Sequence, residues 1–223
     1  MLQKFSLVSS LLPIIFFLLF CLRTKEKGLW VIFFYTLMSF LFDIVLLLTM
    51  WGINYKFILW NIFILVEFSF LSYFFYLIIR PRLIRFLIIL SSIIFFIVYF
   101  LYASSDKERY NSLISAIEAV ILLILSLSYF MIMMKPSAEP VNIFTPILLV
   151  VFSILLYLTS TLFLYIIANN LTPTQFNKYW SINYYANILC NLIYSFAFFL
   201  YGYQKKNLTP ENHKVDYTSP NDR

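Results

Sequence analysis

Histidine is all but missing from this 223-residue sequence; His213, near the C-terminus, is the only one. An intramembrane zinc hydrolase needs several imidazoles gathered at one site, so that chemistry has no ligands here. Glycine is nearly as scarce, with three residues, none deep in an apolar run, and a phosphate-cradling loop is excluded. The two cysteines, Cys21 and Cys190, both fall in apolar runs, which favours buried thiols over a disulfide. Charged residues make up 12% of the chain, about half the share of a soluble domain. An ordinary water-soluble fold is excluded by that figure alone.

What fills the space is apolar. The chain is 62% hydrophobic and 21% aromatic. A bilayer core of about 30 Å takes about 20 helical residues to cross. Seven segments qualify: 6–22, 29–51, 57–79, 84–102, 113–134, 143–168 and 180–203. The connections between them are short and polar, with stoppers such as Arg80-Pro81-Arg82 and Lys135-Pro136. Lys4 before an apolar stretch resembles a signal peptide, but no small-residue cleavage site follows, and Phe20 is too bulky for the box that precedes a lipoprotein cysteine. The first segment is therefore read as a transmembrane helix. The expected fold is all-α, a polytopic membrane protein with a seven-transmembrane-helix bundle over 1–203. A polar tail over 204–223, with Pro210 and Pro220, is expected to be disordered.

The net charge of +6 is a topology signal, not a nucleic-acid footprint, because the positive residues flank the apolar segments. Lys4, Lys56, Lys107, Arg109 and Lys178 fall on one side, five in all. The other eleven Lys and Arg, including Arg23, Arg80, Arg85, Lys135 and Lys205, fall on the opposite side. The richer side should be cytoplasmic, which places the N-terminus outside and the C-terminus inside a bacterial inner membrane. Trp30, Trp51, Trp60 and Trp180 lie near segment ends, as in an interfacial aromatic belt.

Against this background three acids stand out. Asp43, Glu67 and Glu118 each sit within an apolar run that contains no Lys or Arg. Ionisable groups at membrane depth are costly; they turn toward a protein interior or a cavity and mark function. Residues at i, i+3, i+4 and i+7 share a helix face, and on that spacing five helices carry polar stripes. Helix two has Thr36, Ser39 and Asp43; helix three has Ser69, Ser72, Tyr73 and Tyr76, with Glu67 pointing away from them. Helix five has Asn111, Ser115 and Glu118; helix six has Ser153, Tyr157, Ser160 and Thr161; helix seven has Asn183, Asn187, Asn191 and Ser195. Helices one and four are poorer in polar groups and read as lipid-facing. At about 1.5 Å per residue, the acids, Tyr157, Asn187 and Asn191 all fall within roughly 17 Å of the outer surface. That depth predicts one shared pocket in the outer half of the membrane.

Trp60-Asn61-Ile62-Phe63-Ile64-Leu65-Val66-Glu67-Phe68, followed by Ser72-Tyr73-Phe74, resembles a pattern in a family of small seven-helix membrane proteins of Bacteroidetes-type bacteria. Glu118 with Ser128-Tyr129-Phe130 is similar to that family's fifth helix, and Trp180 with Asn187 and Asn191 to its last. Asn183 stands near where that family often has a His after the Trp, so no role for that His carries over. The resemblance implies a seven-helix membrane fold and brings no activity with it.

The expected function is that of a membrane sensor or ligand-binding module. A small or lipid-like ligand would be held by Asp43, Glu67, Glu118, Tyr157, Asn187 and Asn191, the acids binding a cation or donating hydrogen bonds as neutral carboxyls. Membrane lipid surrounds it, and a separate signalling partner would be met through the basic cytoplasmic loops. No catalytic residue, metal or cofactor is assigned, and no nucleic acid is expected. The alternatives are an intramembrane lipid-modifying enzyme using paired carboxyls as general acid and base, and a proton- or ion-coupled carrier. Secondary transporters often carry broken helices at the midplane; Pro13 and Pro146 are read as lying in the first turns of their helices, so neither provides one.

Overall fold

The computed structural model describes residues 2–48, 53–103, 112–134, 145–167, 171–172, 175 and 178–208. Among these, regular structure is helical, and seven helices are each long and apolar enough to cross a membrane. They are α1 (Leu2–Phe20), α2 (Lys27–Leu48), α3 (Ile53–Ile78), α4 (Arg82–Ala103), α5 (Ser112–Met133), α6 (Pro146–Ile167) and α7 (Ser181–Leu208). The chain is an integral membrane protein of the expected all-α class. Asn111, Trp51 and the segment 209–223 lie outside the described residues, and with them most of the expected tail. Residues 204–208, assigned to that tail on sequence, continue α7.

The principal contacts close a ring in the order α1, α2, α3, α5, α6, α7 and back to α1. The pairing of α1 with α7, the first helix with the last, is the most extensive in the molecule. Helix α4 lies outside the ring and packs against α3 and α5, with Phe68 stacked on Phe95 at 3.9 Å and the Tyr99 hydroxyl donating to the Asn61 carbonyl at 3.0 Å. Its other face exposes Leu83, Phe86, Ile93, Phe100 and Leu101, as suits a helix bathed in lipid.

Helix α1 departs from its expected place. It is not a lipid-facing helix but a ring member, with Ser6, Ser9, Ser10, Pro13 and Phe17 buried. It also starts at Leu2 rather than residue 6, because an exposed Lys4 near a helix end can reach the interface along its own aliphatic stem. Pro13 therefore sits in the middle of the helix and not in its first turn. Lacking an N–H, it leaves the Ser9 carbonyl without its usual intrahelical donor.

Two ends of the bundle can be distinguished. At the first end, where α1 and α7 begin, Trp60 of α3 stacks on Trp180 just before α7, with ring centroids 5.2 Å apart. At the far end the turn between α1 and α2 docks on α7. Thr24 Oγ1 donates to the Tyr201 hydroxyl at 2.7 Å, Cys21 Sγ to the Phe198 carbonyl at 3.4 Å, and Lys205 Nζ to the Arg23 carbonyl at 2.9 Å. The backbones approach closely there: a Cβ built on Gly202 would fall 2.7 Å from Phe20 Cβ.

Candidate functional site

Inside the ring the helices bring together acids and phenols. Tyr35, on the inward face of α2, donates its hydroxyl proton to Glu67 Oε1 of α3 at 2.7 Å. Both residues lie near the middle of their helices, and Glu67 is 5% exposed. Glu118 of α5 is 3% exposed and within electrostatic reach of Glu67. Its Oε1 is buried without a hydrogen-bond partner among the described residues. From α6, Tyr157 and Tyr165 place their hydroxyl oxygens 3.4 Å apart, and both rings lie within electrostatic reach of Glu67. Among the described residues, no basic group acts on either carboxyl. Two carboxyls therefore share one apolar interior, where their charge must be met by a proton or by a cation.

The same interior continues onto α7. Ser153 Oγ of α6 donates to the Cys190 carbonyl at 3.1 Å and lies 2.9 Å from its Sγ. Cys190 is also hydrogen-bonded to Tyr194 one turn on, and both interact electrostatically with Glu67. Cys190 and Cys21 are free, buried thiols.

A second polar seam joins α7 to α1. Asn187 Nδ2 donates to Ser6 Oγ at 2.9 Å, and Asn191 Nδ2 donates to Ser9 Oγ at 3.1 Å. Asn187 Oδ1 lies 3.5 Å from Asn191 Nδ2, and Ser195 Oγ donates back to the Asn191 carbonyl at 2.7 Å. The spacing explains the ladder. Asn187 and Asn191 are one helical turn apart, as are Ser6 and Ser9, so two short rows on facing helices meet rung by rung.

Asp43 belongs to neither group. It lies near the first end, in a half-open cleft between α1, α2 and α7 lined by Gln3, Ser6, Leu7, Asp43, Leu47 and Tyr184. The cleft holds about 10 Å³, room for about one water-sized group. Asp43 Oδ2 is buried there without a hydrogen-bond partner among the described residues.

The six residues singled out on sequence are thus divided. Glu67, Glu118 and Tyr157 share the interior; Asn187 and Asn191 line the seam; Asp43 stands in the cleft, which shares Ser6 with the seam. Depth placed them at similar levels but carries no information on azimuth around the ring. Tyr35, Tyr165, Tyr194 and Ser6 were missed. Tyr165 and Tyr194 had a usable signal, since they extend the stripes of α6 and α7 by one turn beyond Thr161 and Asn191. Tyr35 had the same kind of signal, lying one turn before Ser39 on the stripe that ends at Asp43. No group of three metal-ligating side chains is present among the described residues. Compared with protein-family models, curated proteins and solved structures, the chain matches none.

Proposed function

We propose that this protein is a membrane sensor or binding module whose interior takes up a small cation, a proton included, between Glu67 and Glu118. The supporting observation is the pair itself: two buried carboxyls on different helices, one held by Tyr35, the other with an oxygen that, among the described residues, has no partner, and no described basic side chain to balance them. The closed packing around them favours a proton or a single ion over a lipid-like ligand. Uptake or loss of one charge there would reweight the contacts of α2, α3, α5 and α6 with one another, which is what a sensor needs. The charge count of the loops supports an orientation with the N-terminus outside the bacterial cytoplasmic membrane, and a signalling partner met through the basic far end.

The test is a titration of the purified protein with H⁺, Na⁺ and K⁺, followed by tryptophan fluorescence. Trp60 lies two helical turns from Glu67 on the same face of α3. A saturable transition in wild type that is lost in Glu67→Gln and Glu118→Gln supports the reading. Identical curves for wild type and the double variant overturn it.

One observation favours a coupled carrier as the second reading. The Asn–Ser seam runs from the first end into the bundle beside Pro13, where a ring helix lacks one backbone hydrogen bond. A carrier moves charge across sealed proteoliposomes on a pH or sodium jump; a sensor does not. A lipid-modifying enzyme gains no support, because the cleft at Asp43 is far smaller than a lipid headgroup and lies apart from the paired carboxyls.

A further inference from the structure

The cleft at Asp43 is a separate site with its own chemistry. We infer that it binds one primary alkylammonium group, seated on Asp43 between α1, α2 and α7. Four features of the cleft carry this. First, the carboxylate is half sunk between helices, and its Oδ2 has lost water without gaining a described partner, an arrangement that an incoming donor would satisfy. Second, the other polar groups offer what an ammonium needs. An –NH₃⁺ has three donors and no acceptor; Asp43, the Ser6 hydroxyl and the Gln3 carbonyl supply three oxygens. Ser6 is held in place because its Oγ already accepts from Asn187 Nδ2 at 2.9 Å.

Third, the walls are apolar and aromatic. Leu7 and Leu47 line the cleft with Asp43, and the Tyr184 ring lies within electrostatic reach of the carboxylate. Such walls suit the methylene beside an ammonium, and an aromatic face adds cation–π attraction. A single carboxylate with so few oxygens is poorly matched to a divalent ion, which takes six or more. Fourth, size and position agree. The cleft holds about one water-sized group, as large as an ammonium but smaller than a quaternary one. Asp43 lies five residues from the end of α2, about 8 Å down at 1.5 Å per residue, where a group from the headgroup layer can reach. Lys4 does not serve as the resident cation: it is exposed and is not among the described groups acting on Asp43.

A primary ammonium could arrive on a phosphatidylethanolamine headgroup or as a free amine, and the experiment separates these. The protein is reconstituted in nanodiscs containing equal phosphatidylethanolamine and phosphatidylcholine, then ejected for native mass spectrometry with and without free ethanolamine. Wild type should retain phosphatidylethanolamine over phosphatidylcholine. Asp43→Asn should lower that preference about tenfold or more, the loss expected for one charge-assisted hydrogen bond. Leu47→Phe, which keeps the carboxylate and fills the cleft from a half-exposed position, should do the same. Glu67→Gln should keep the preference, so the site stands or falls independently of the interior acids. Displacement by ethanolamine shows that the ammonium alone suffices; no displacement shows that the lipid is the ligand, and either supports the site. Equal retention of the two lipids by wild type overturns the inference. So does an unchanged preference in Asp43→Asn and Leu47→Phe, provided both remain helical and monodisperse.

Discussion

Gly202 offers a sharp test of how α1 and α7 are joined. A methyl group added there would lie 2.7 Å from Phe20 Cβ, 3.0 Å from its Cδ1 and 3.2 Å from its Cγ. Carbon atoms normally approach no closer than about 3.5 Å. The Phe20 ring can rotate away, but its Cβ is fixed to the backbone, so the helices themselves must part by several tenths of an ångström along the most extensive contact in the bundle. Overpacking of this kind costs about 1–3 kcal/mol, and the better helix propensity of alanine returns up to about 1 kcal/mol. With the full alanine gain, the expected net loss for Gly202→Ala is about 0–2 kcal/mol, about 1–3 kcal/mol below what helix propensity alone would give, measured by reversible unfolding in mixed SDS micelles with circular dichroism. Gly28→Ala is the control. Its added methyl would meet only Ile78 and Phe74 side-chain atoms, the nearest at 3.4 Å, so it should be neutral or stabilising. The Phe20 background decides the cause. With Phe20→Ala the Cβ remains and Gly202→Ala should still cost; with Phe20→Gly it should not. A Gly202→Ala protein stabilised by the full alanine gain of about 1 kcal/mol would refute the close approach, and equal costs in both Phe20 backgrounds would refute the atom blamed for it.

Removing the Tyr35 hydroxyl, as Phe, should cost about 0.6–2 kcal/mol in the same unfolding assay, and less in a Glu67→Leu background, where the bond is already gone. Asn191→Leu should lose the rung to Ser9 and destabilise by a similar amount, about 0.6–1.7 kcal/mol; pairing it with Ser9→Ala should add less than the sum of the two. Neither Cys21 nor Cys190 should react with a maleimide in the folded protein, and both should label once SDS opens the bundle, as mass spectrometry would read directly. Ser153→Ala should leave that protection unchanged if burial, and not the hydroxyl contact, shields Cys190.

The seven helices were legible because crossing a membrane imposes a length and a composition that few other structures require. Their ends were less so. α1 and α3 each begin about four residues earlier than their apolar runs, since residues such as Lys4, Asn54 and Lys56 continue a helix through the interface once the backbone is committed. Buried Glu67 and Glu118 were legible as acids without basic partners. That they come within electrostatic reach of each other was a guess from depth, whereas Asp43, expected at a comparable depth, lies near the first end between α1, α2 and α7. The deepest misreading concerned α1. Ser6, Ser9 and Ser10 were visible in the sequence, but three hydroxyls can be satisfied by their own helix, and Ser9 and Ser10 do donate to the Ser6 and Leu7 carbonyls at 2.7 Å. Nothing local tells whether a second partner also arrives. Here it does, from residues 181 and 182 positions away.

That separation has a consequence in time. Ribosomes add about 5–20 residues per second, so Ser6 waits on the order of 10–40 s for Asn187 to be made. During that interval α1 has entered the membrane, but the partner of its largest contact does not exist, and Ser6 and Ser9 look out on lipid or on whatever insertion factor holds the helix. A nascent chain halted after α6 would present this unmet seam at its N-terminal helix, a mark by which quality control could tell an unfinished molecule from a finished one.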